Sequence, residues 1–533
     1  AAPERLAIDY GDAAELADKA TRALAAFETP AMWAMLRGRG VFRGAGPAAP
    51  IAFMYTGQGS QYVNMLSGLR AAEPIVAERF VEADRVMTPL LGKPLSDFIF
   101  VDTDDPAAVD GAEEDLRNTE ITQPAVLATD LALTALLTAY GIEPDMVIGH
   151  SLGEYGALVA AGALSFPAAL EAVSARGHEM ASLTIEDNGV MAAVFAPVDE
   201  VQLLVDGIDG NVVLANVNSN AQSVIGGATV AVEAALAACE ARGWLTARLT
   251  VSHAFHTSIV AAASEPLRRT LERLDLHPPV RPIVSNVTGE FYPMGNGVTE
   301  TMLDLLAQQV ASPVQFVKGL HTLYDAGARV FLEVGPKRAL HGFAADVLGD
   351  DVAVLFSNHP KQTDVVAFNQ ALCGLYAAGH GAARDSAASA AAAPTAATTA
   401  TTSVAPSSTD SMKVSSAVQT DLGALFDDFL DKARSLMGVG EGAARVSTEP
   451  VVITGAALGT PGTQRVFDDE NLARLLHGEQ LIDVIPTRLR NEILDKHIVR
   501  LTKSESRGAS FEAIDNVADV IKLAGRAGSF DLA

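Results

Sequence analysis

Short apolar runs alternate with amphipathic stretches through the central part of the chain. One apolar run covers residues 51–56 and another covers residues 146–148. Runs of this length, bounded by Gly or Pro, are typical of strands that are buried on both faces of a sheet. Residues 124–140 have a helical pattern, with Pro124 predicted in the first turn. The alternation predicts an α/β domain with a parallel sheet over residues 49–378.

Residues 190–250 have a different pattern of strand-like and helical stretches. Strand-like and helical stretches follow one another there in the order β-α-β-β-α-β, which is the split βαβ or ferredoxin-like arrangement. In chain order these stretches are residues 191–195, 198–205, 212–217, 222–225, 228–242 and 244–250. We interpret them as a small α+β subdomain inserted into the larger domain.

The two ends of the chain follow other patterns. Residues 1–48 have helical periodicity between residues 13 and 27, which predicts a helical lead-in. Residues 379–411 consist mainly of Ala, Thr, Ser and Pro, which cannot bury enough apolar surface to fold alone, and we expect a disordered linker. Globular composition returns in residues 412–533. The elements predicted in that segment are a helix over residues 422–437 and a strand over residues 451–454.

Composition and charge mainly exclude certain partners and cellular locations. The 533 residues carry a net charge of −27, which disfavours nucleic acid and anionic membranes as partners. Two distant cysteines, Cys239 and Cys373, favour a reducing compartment. No membrane-length apolar run or signal peptide is visible, so we expect a cytoplasmic protein, and the missing initiator Met suggests a piece of a longer polypeptide. The densest acidic run, residues 102–114, is predicted to be a surface loop.

The sequence Gly149-His150-Ser151-Leu152-Gly153 stands between a predicted strand and a helical stretch. This pattern is typical of the nucleophile elbow of α/β-hydrolase-like domains, in which small flanking residues permit a tight turn. The amide of Leu152 would lie at a helix N-terminus, which favours an anion. Ser151 is therefore the candidate nucleophile, and a chance Gly-rich turn is the alternative.

A serine nucleophile needs a base. His253 and His256 follow the inserted subdomain, where the chain returns to the large domain, and could reach the same sheet edge as Ser151. The alternative is that both are ordinary surface residues.

Two further positions could contact a substrate. Gln58 lies in the Gly-rich turn after the first strand, where a backbone amide could bind an oxyanion, and a plain turn or a phosphate cradle is the alternative. Arg176 lies in the second helical stretch after Ser151. Facing the pocket, its guanidinium would bind a carboxylate through two hydrogen bonds, and facing water it would be an unremarkable surface residue.

Together these motifs resemble the malonyl-CoA:acyl carrier protein transacylase family, and more closely the acyltransferase domains of modular (type I) fatty acid and polyketide synthases. The resemblance covers about residues 48–376. The matching motifs are Gly57-Gln58-Gly59-Ser60-Gln61, Thr122-Gln123-Pro124, Gly149-His150-Ser151-Leu152-Gly153-Glu154, Arg176, Asn216-Val217-Asn218, Val224-Ile225-Gly226-Gly227, His253-Ala254-Phe255-His256, Gln309 with Pro313-Val314, and Glu333-Val334-Gly335-Pro336.

The resemblance implies a catalytic role for five residues. Ser151 would form the acyl-enzyme, and His256 would be its base. A backbone carbonyl at Gln309 would orient the histidine in place of an Asp. The amides of Gln58 and Leu152 would bind the oxyanion.

It also implies the substrates. Arg176 would bind the malonyl carboxylate, with His150, His253 and Phe255 in the substrate site. Family members that use malonyl units tend to carry His-Ala-Phe-His, whereas methylmalonyl users tend to carry Tyr-Ala-Ser-His, so Phe255 favours malonyl. The donor would be malonyl-CoA, the acceptor would be the phosphopantetheine thiol of an acyl carrier protein, and the chain itself would bind no cofactor or metal.

The resemblance extends to the expected partners. No Asp-Ser-Leu carrier motif is present, so the carrier protein would lie outside this chain, in the same larger polypeptide. Residues 1–48 resemble the linker between a ketosynthase domain and an acyltransferase, and residues 412–533 resemble the incomplete N-terminal part of a ketosynthase-like domain. A basic face for the carrier could be formed by Lys318, Arg329, Lys337 and Arg338.

Two other function classes stay open at this point. A serine hydrolase or thioesterase would want an acid between Ser151 and His256 in the sequence, and candidates such as Asp199 and Asp206 fall inside the inserted subdomain. A non-catalytic docking module of a synthase would need none of these groups.

Overall fold

The computed structural model describes residues 4–183 and 185–381, and four short strands nearer the C-terminus. The chain divides into two compact units, Ala1–Gly455 and Ala456–Ala533. The predicted linker beyond residue 381, the predicted helix over residues 422–437 and the predicted strand over residues 451–454 lie outside the described residues.

The strands of the first unit are β1 (Glu4–Ile8), β2 (Val41–Ala45), β3 (Ile51–Tyr55), β4 (Met146–Gly149), β5 (Val190–Phe195), β6 (Val212–Ser219), β7 (Gln222–Gly227), β8 (Leu245–Arg248), β9 (Ile283–Val284), β10 (Val314–Gln315), β11 (Val330–Val334) and β12 (Ala353–Phe356). Its helices are α1 (Ala13–Glu28), α2 (Met32–Arg37), α3 (Ser67–Ala72), α4 (Pro74–Leu91), α5 (Ser96–Ile99), α6 (Pro106–Asp115), α7 (Thr119–Ala139), α8 (Gly153–Ala160), α9 (Phe166–Ala181), α10 (Val198–Asp206), α11 (Thr229–Ala241), α12 (Ser264–Arg273), α13 (Thr299–Gln309), α14 (Phe316–Asp325), α15 (Ala339–Leu348) and α16 (Asp364–Ala378), with 3-10 turns at Ser258–Ala263 and Gly349–Asp351. In the second unit, β13 (Ile482–Val484) pairs with β16 (Leu523–Gly525), and β14 (Val499–Ser504) pairs with β15 (Gly508–Ala513), both antiparallel.

A parallel sheet in the order β12-β11-β3-β4-β9 forms the centre of the large domain. Alternate residues of β3 enter hydrophobic cores on opposite faces. Phe53 and Tyr55 pack in a core that includes α4, α7 and α9, whereas Ala52 and Met54 pack in one that includes α14 and α15. This two-sided burial confirms the predicted α/β architecture. It also brings the carboxyl ends of β3 and β4 side by side, with Tyr55 beside Gly149.

The inserted subdomain is ferredoxin-like, as predicted. Its four strands lie in the order β6-β7-β5-β8 with antiparallel pairing throughout. Helices α10 and α11 contribute Val201 and Val232 to a core with Val194 and Ile225. Strand β10 of the large domain pairs in parallel with β6, so the inserted sheet is joined to the large domain at this edge.

The lead-in contains two strands as well as helices. The predicted helix is α1, whose N-terminus is capped by the Asp12 side chain, but β1 and β2 form an antiparallel pair beside it. Arg5 Nε donates to the carbonyl of Ala377 in α16 at 3.0 Å. A Cβ on Gly44 would lie 1.9 Å from that same carbonyl oxygen. The lead-in therefore packs closely against the last helix of the large domain.

Two local predictions were wrong. The acidic run predicted as a loop contains helix α6, because Asp105 caps it by accepting from the amides of Ala107 and Ala108. Helix α7 begins at Thr119, not near Pro124, because Asn118 supplies the cap. Pro124 therefore lies inside the helix.

Helix α7 is long and apolar enough to cross a membrane, the only such helix within the described part of the chain. However, 83% of its most apolar window is buried inside the protein. It packs against α4 and α9, as expected for the core helix of an α/β domain.

Candidate active site

Ser151 lies in the tight turn between β4 and α8. Its φ is +54°, in the left-handed region that is strained for a residue with a side chain. A Cβ on Gly149 would lie 2.0 Å from the backbone carbon of Gly153, and a Cβ on Gly153 would lie 2.2 Å from the carbonyl oxygen of Tyr55. Packing therefore requires both glycines of the motif, and the turn has the geometry of a nucleophile elbow.

The side chain of Asn286 holds this turn in place. Its Oδ1 accepts from the Ser151 amide at 2.6 Å, and its Nδ2 donates to the Gly149 carbonyl at 2.7 Å. Asn286 is 2% exposed and follows β9, the strand next to β4. No motif in the sequence pointed to Asn286, although a polar residue just after a short apolar run at the same sheet edge was a usable signal.

His256 and Ser151 form a hydrogen-bonded pair, with His256 Nε2 2.7 Å from Ser151 Oγ. His256 Nδ1 lies 3.0 Å from the carbonyl oxygen of Gln309 and 3.1 Å from that of Ser312. Because carbonyl oxygens only accept, Nδ1 must carry the proton, and Nε2 is left to accept from the serine.

The pKa of His256 is lowered to about 3, mainly because the ring is buried and further because the Arg176 cation is nearby. The imidazole is therefore neutral at physiological pH. A neutral imidazole beside the serine hydroxyl is the form that general-base catalysis requires.

Two backbone amides from neighbouring turns are available to an anion. Among the hydrogen bonds formed by residues 4–183 and 185–381, none has the backbone amide of Gln58 or Leu152 as its donor. The turns are in contact, because a Cβ on Gly57 would lie 2.4 Å from the His150 carbonyl oxygen. Leu152 also precedes the first turn of α8, where the helix dipole favours negative charge. Two amides without an acceptor on adjoining turns are compatible with an oxyanion hole, and this role stays a prediction.

Arg176 extends from α9 into the interior and is 1% exposed. Its Nη1 donates to Gln123 Oε1 at 2.9 Å, and its Nη2 lies 3.2 Å from both Ser151 Oγ and Gln309 Oε1. All three acceptors are neutral groups. A buried guanidinium with only neutral direct contacts, beside the serine, suits a ligand that brings its own carboxylate.

A buried carboxylate, Glu154, lies behind these groups. Gln309 Nε2 donates to Glu154 Oε2 at 2.7 Å and to the Ser151 carbonyl at 2.8 Å, and the Tyr292 hydroxyl donates to Glu154 Oε1 at 2.5 Å. Burial raises the pKa of Glu154 to about 7, against the effect of these hydrogen bonds. Glu154 belongs to the motif around Ser151, but no role for it followed from the sequence.

The three residues predicted in the substrate site contact groups other than Ser151, His256 and Arg176. His150 Nε2 lies 2.7 Å from Asn218 Oδ1, and His253 Nε2 lies 3.3 Å from the Leu183 carbonyl oxygen. Phe255 is 6% exposed and belongs to the main hydrophobic core. Their role in substrate binding stays a prediction.

Comparison with known proteins agrees with this geometry. Residues 52–382 match the family model of the acyl transferase domain, which is more than half of the chain. The chain belongs to this acyltransferase family. The match stops short of residues 412–533, so their ketosynthase-like character stays a prediction.

Two groups of relatives have related sequences. The malonyl CoA-acyl carrier protein transacylase of Bacillus subtilis is 35% identical over 302 residues, which are 56% of this chain and 90% of that protein. The spectinabilin polyketide synthase system protein NorB of Streptomyces orinoci is 35% identical over 317 residues. The match to NorB covers 59% of this chain but only 14% of that much longer protein.

Solved structures share the acyltransferase fold. The acyltransferase domain from the second module of the salinomycin polyketide synthase has 32% identity and a TM-score of 0.58, over 71% of this chain and 84% of that one. The transacylase MCAT of Streptococcus pneumoniae has 35% identity and a TM-score of 0.53, over 60% of this chain and 99% of that one. The chain is therefore an acyltransferase with the two-subdomain fold of this family.

Proposed function

We propose that this acyltransferase moves a malonyl group from malonyl-CoA to the phosphopantetheine thiol of an acyl carrier protein, in polyketide or fatty acid synthesis. The observation that carries this proposal is the buried Arg176 guanidinium, 3.2 Å from Ser151 Oγ and in direct contact only with neutral groups. An acyl group that ends in a carboxylate would complete this site. A related structure, with 30% identity and a TM-score of 0.53, is a malonyl-transacylase in complex with a type II polyketide acyl-carrier protein.

In the proposed mechanism, His256 Nε2 takes the proton of Ser151 as Oγ attacks the thioester carbonyl. The amides of Gln58 and Leu152 bind the oxyanion that develops. Collapse of the intermediate releases the CoA sulfur, which receives the proton from His256 and leaves malonyl esterified to Ser151. The carrier thiol then gives its proton to His256 and attacks this ester, and the serine leaves with that proton.

The substrate carboxylate would also strengthen the base. The positive charge of Arg176 contributes to the low pKa of His256. A malonyl carboxylate on Arg176 would offset that charge and raise the pKa of His256 towards the range in which general bases work best. The site would thus favour malonyl both in binding and in proton transfer.

The hydrolase alternative is weaker than this proposal. A Ser-His-Asp hydrolase places a carboxylate on the histidine nitrogen that does not face the serine. In this chain the acceptors at His256 Nδ1 are the carbonyl oxygens of Gln309 and Ser312.

Intact-protein mass spectrometry after brief incubation with malonyl-CoA or acetyl-CoA tests the function. We expect a malonyl adduct on the wild type and none on Ser151→Ala, because Ser151 Oγ is the proposed attacking atom. Arg176→Ala should slow malonyl loading roughly 100-fold while slowing acetyl loading little, because only malonyl needs the guanidinium. Ser223→Ala, a buried serine in β7 whose hydroxyl has no hydrogen-bond partner among the described residues, serves as the control. Acetyl loading faster than malonyl in the wild type would contradict the proposal.

We further propose that a cationic patch receives the acidic carrier protein. Of the four residues expected in a basic face, Lys318 Nζ pairs with Glu290 at 2.8 Å, and Arg329 stacks over the Tyr324 ring. The patch that we propose is therefore formed by Lys337, Arg338 and Lys361, with His341 and His359 beside them. The first three take part in no ion pair among the described residues.

The positive electrostatic potential around the patch supports this choice of residues. Burial lowers the pKa of both His341 and His359, and the charge of Arg338 lowers it further in each case. On a chain with a net charge of −27, such a concentration of unpaired cations is a natural target for an acidic partner.

The distance along the sheet edge from the patch to Ser151 also matches the length of the carrier's pantetheine arm. Ser151 follows β4, whereas the patch follows β11 and β12, two and three strands away at the same edge. Adjacent strands are about 4.8 Å apart, which gives roughly 10–14 Å. The pantetheine arm between sulfur and phosphorus has about as many bonds as four extended residues, roughly 14 Å. A carrier on the patch could therefore place its thiol at Ser151.

Charge reversal tests the patch. Arg338→Glu with Lys361→Glu should raise the KM for the carrier roughly 10-fold at low salt and leave loading of Ser151 from malonyl-CoA nearly unchanged. Lys318→Glu is the matched control and should leave both steps unchanged. An unaltered carrier KM in the double variant would rule the patch out.

For the chain as a whole, we propose an acyltransferase domain over residues 49–378 and a ketosynthase–acyltransferase linker over residues 1–48. The packing of Arg5 and Gly44 against α16 supports a lead-in that is part of the same folded body. A linker over residues 379–411 and a ketosynthase-like segment over residues 412–533 complete the proposal, with a cytoplasmic location.

A further inference from the structure

The amide of Gln309 connects two buried charges. Its Nε2 donates to Glu154 Oε2 at 2.7 Å, and its Oε1 accepts from Arg176 Nη2 at 3.2 Å. Glu154 and Gln309 are 0% exposed, and Arg176 is 1% exposed. Since the direct contacts of Arg176 are neutral, Glu154 is the carboxylate that balances its charge, at a distance of one amide group.

The orientation of this amide is fixed by its neighbours. A carboxylate and a backbone carbonyl only accept, and a guanidinium only donates. The NH2 group of Gln309 must therefore face Glu154 and the Ser151 carbonyl, while its oxygen faces Arg176. The three side chains form one buried hydrogen-bonded unit, in which the charge of Glu154 affects Arg176 with little screening by water.

A malonyl carboxylate on Arg176 would change the charge balance of this unit. The empty site holds one cation and one carboxylate. The malonylated site would hold one cation and two carboxylates, and a net charge buried away from water is costly. The simplest way to restore neutrality is for one carboxylate to take a proton.

We infer that Glu154 is the exchangeable counter-ion of Arg176: it balances the guanidinium in the empty site and takes up a proton when a substrate carboxylate replaces it. The inference rests on the proposed function. Glu154 acts here through Gln309 and Arg176 and is a specificity-determining positioning residue. Selection for a carboxylate-bearing acyl group is then coupled to pH.

The titration behaviour of the site supports this coupling. Burial raises the pKa of Glu154 to about 7, so that its charge changes near neutral pH. The other titratable groups that face it are Tyr155, Tyr292 and Arg176. Burial raises the pKa of both tyrosines and lowers that of Arg176 from its very high value. Burial also lowers the pKa of His256 to about 3. Glu154 is thus the group of this set that titrates near pH 7.

The sign of the effect follows from the charges. Above about pH 7, ionised Glu154 already balances Arg176 and repels a second carboxylate. Below about pH 7, protonated Glu154 leaves Arg176 to attract malonyl. When the acyl group is acetyl, no carboxylate balances Arg176 below about pH 7. The positive charge of Arg176 then lowers the pKa of His256 and weakens it as a base. The ratio of malonyl to acetyl loading rates should therefore rise as the pH falls through 7.

The experiment measures this ratio between about pH 5.5 and about pH 8.5. In the wild type we expect a rise of roughly 3- to 10-fold towards low pH, with an inflection near 7. Glu154→Gln is permanently neutral and should hold the ratio constant across the range. Tyr292→Phe removes a hydrogen bond that stabilises the carboxylate, and should keep the transition but move it to higher pH.

A second readout needs no variant. In weakly buffered solution near pH 7.5, malonylation of the wild type should take up a fraction of a proton per site relative to acetylation. A flat wild-type ratio, a ratio that still titrates in Glu154→Gln, or equal proton uptake with both donors would overturn the inference. If malonyl-CoA fails to load the wild type at all, the proposed function itself has failed, and the two outcomes are thus distinguishable.

Discussion

Replacement of His256 by Ala should lower the rate of Ser151 malonylation by roughly 10³- to 10⁴-fold. His256 Nε2 lies 2.7 Å from Ser151 Oγ, and its other nitrogen is held by two carbonyl oxygens. A serine hydroxyl without a base is a weak nucleophile. Rapid-quench mass spectrometry of the malonyl adduct gives the rate directly.

The control for this prediction is His178→Ala in α9, where the exposed His178 ring is paired with Glu120. It should load malonyl at the wild-type rate. A His256→Ala enzyme within tenfold of the wild type would mean that another group removes the serine proton.

The ionisation of His256 can be followed in the same pair of proteins. Because burial and Arg176 lower its pKa to about 3, the ring should stay neutral well below the usual His range. In histidine-labelled protein, the NMR signal that disappears in His256→Ala should show no shift of the size that imidazole protonation produces between about pH 8 and about pH 5, and only a small shift from the ionisation of Glu154 near pH 7. A protonation-sized shift of this signal with a midpoint near 6.5 would show that the ring is less buried than the structure indicates.

The sequence was sufficient for the parts of the site that depend on local spacing. Gly149 and Gly153 flank Ser151 because the turn has no room for a Cβ, and this steric demand is visible as a motif. The strand and helix on either side follow from the hydrophobic pattern. The ferredoxin-like order of the insert could be predicted for the same reason, since strand-like and helical stretches follow one another there in the order β-α-β-β-α-β.

The parts that depend on distant contacts were not predictable from pattern alone. A single helical Arg gives no sign of whether it faces water, and the burial of Arg176 is set by the packing of α9 on α7. Asn286 and Tyr292 reach the elbow from the region around β9, more than a hundred residues along the chain. Their bonds to Ser151 and Glu154 exist only once the sheet has formed.

Capping explains the local errors. Asn118 and Asp105 begin α7 and α6 through side-chain hydrogen bonds, in stretches where Pro and acidic residues outweighed the helical pattern. Strands β1 and β2 were missed because a two-stranded pair with a polar face has little apolar signal. It is ordered by contact with α16.

Replacement of Gly149 by Ala should strongly destabilise the large domain. The new Cβ would lie 2.0 Å from the Gly153 carbon and 2.1 Å from both the Gly153 oxygen and the Glu154 nitrogen. These are backbone atoms of the first turn of α8, and they cannot move aside without displacing Ser151. We expect a loss of more than about 4 kcal/mol in the free energy of unfolding, together with loss of acylation.

Denaturant unfolding followed by the fluorescence of Trp33 and Trp244 measures this loss, since both tryptophans lie in the N-terminal unit. The matched control is Gly111→Ala in α6, where a Cβ would meet nothing within 4 Å. That change should raise stability by about 0.5–1 kcal/mol, because Ala is the better helix former. If Gly149→Ala were as stable as Gly111→Ala, the elbow could shift to accept a side chain. The strained backbone of Ser151 would then not depend on the close packing of β4 against α8.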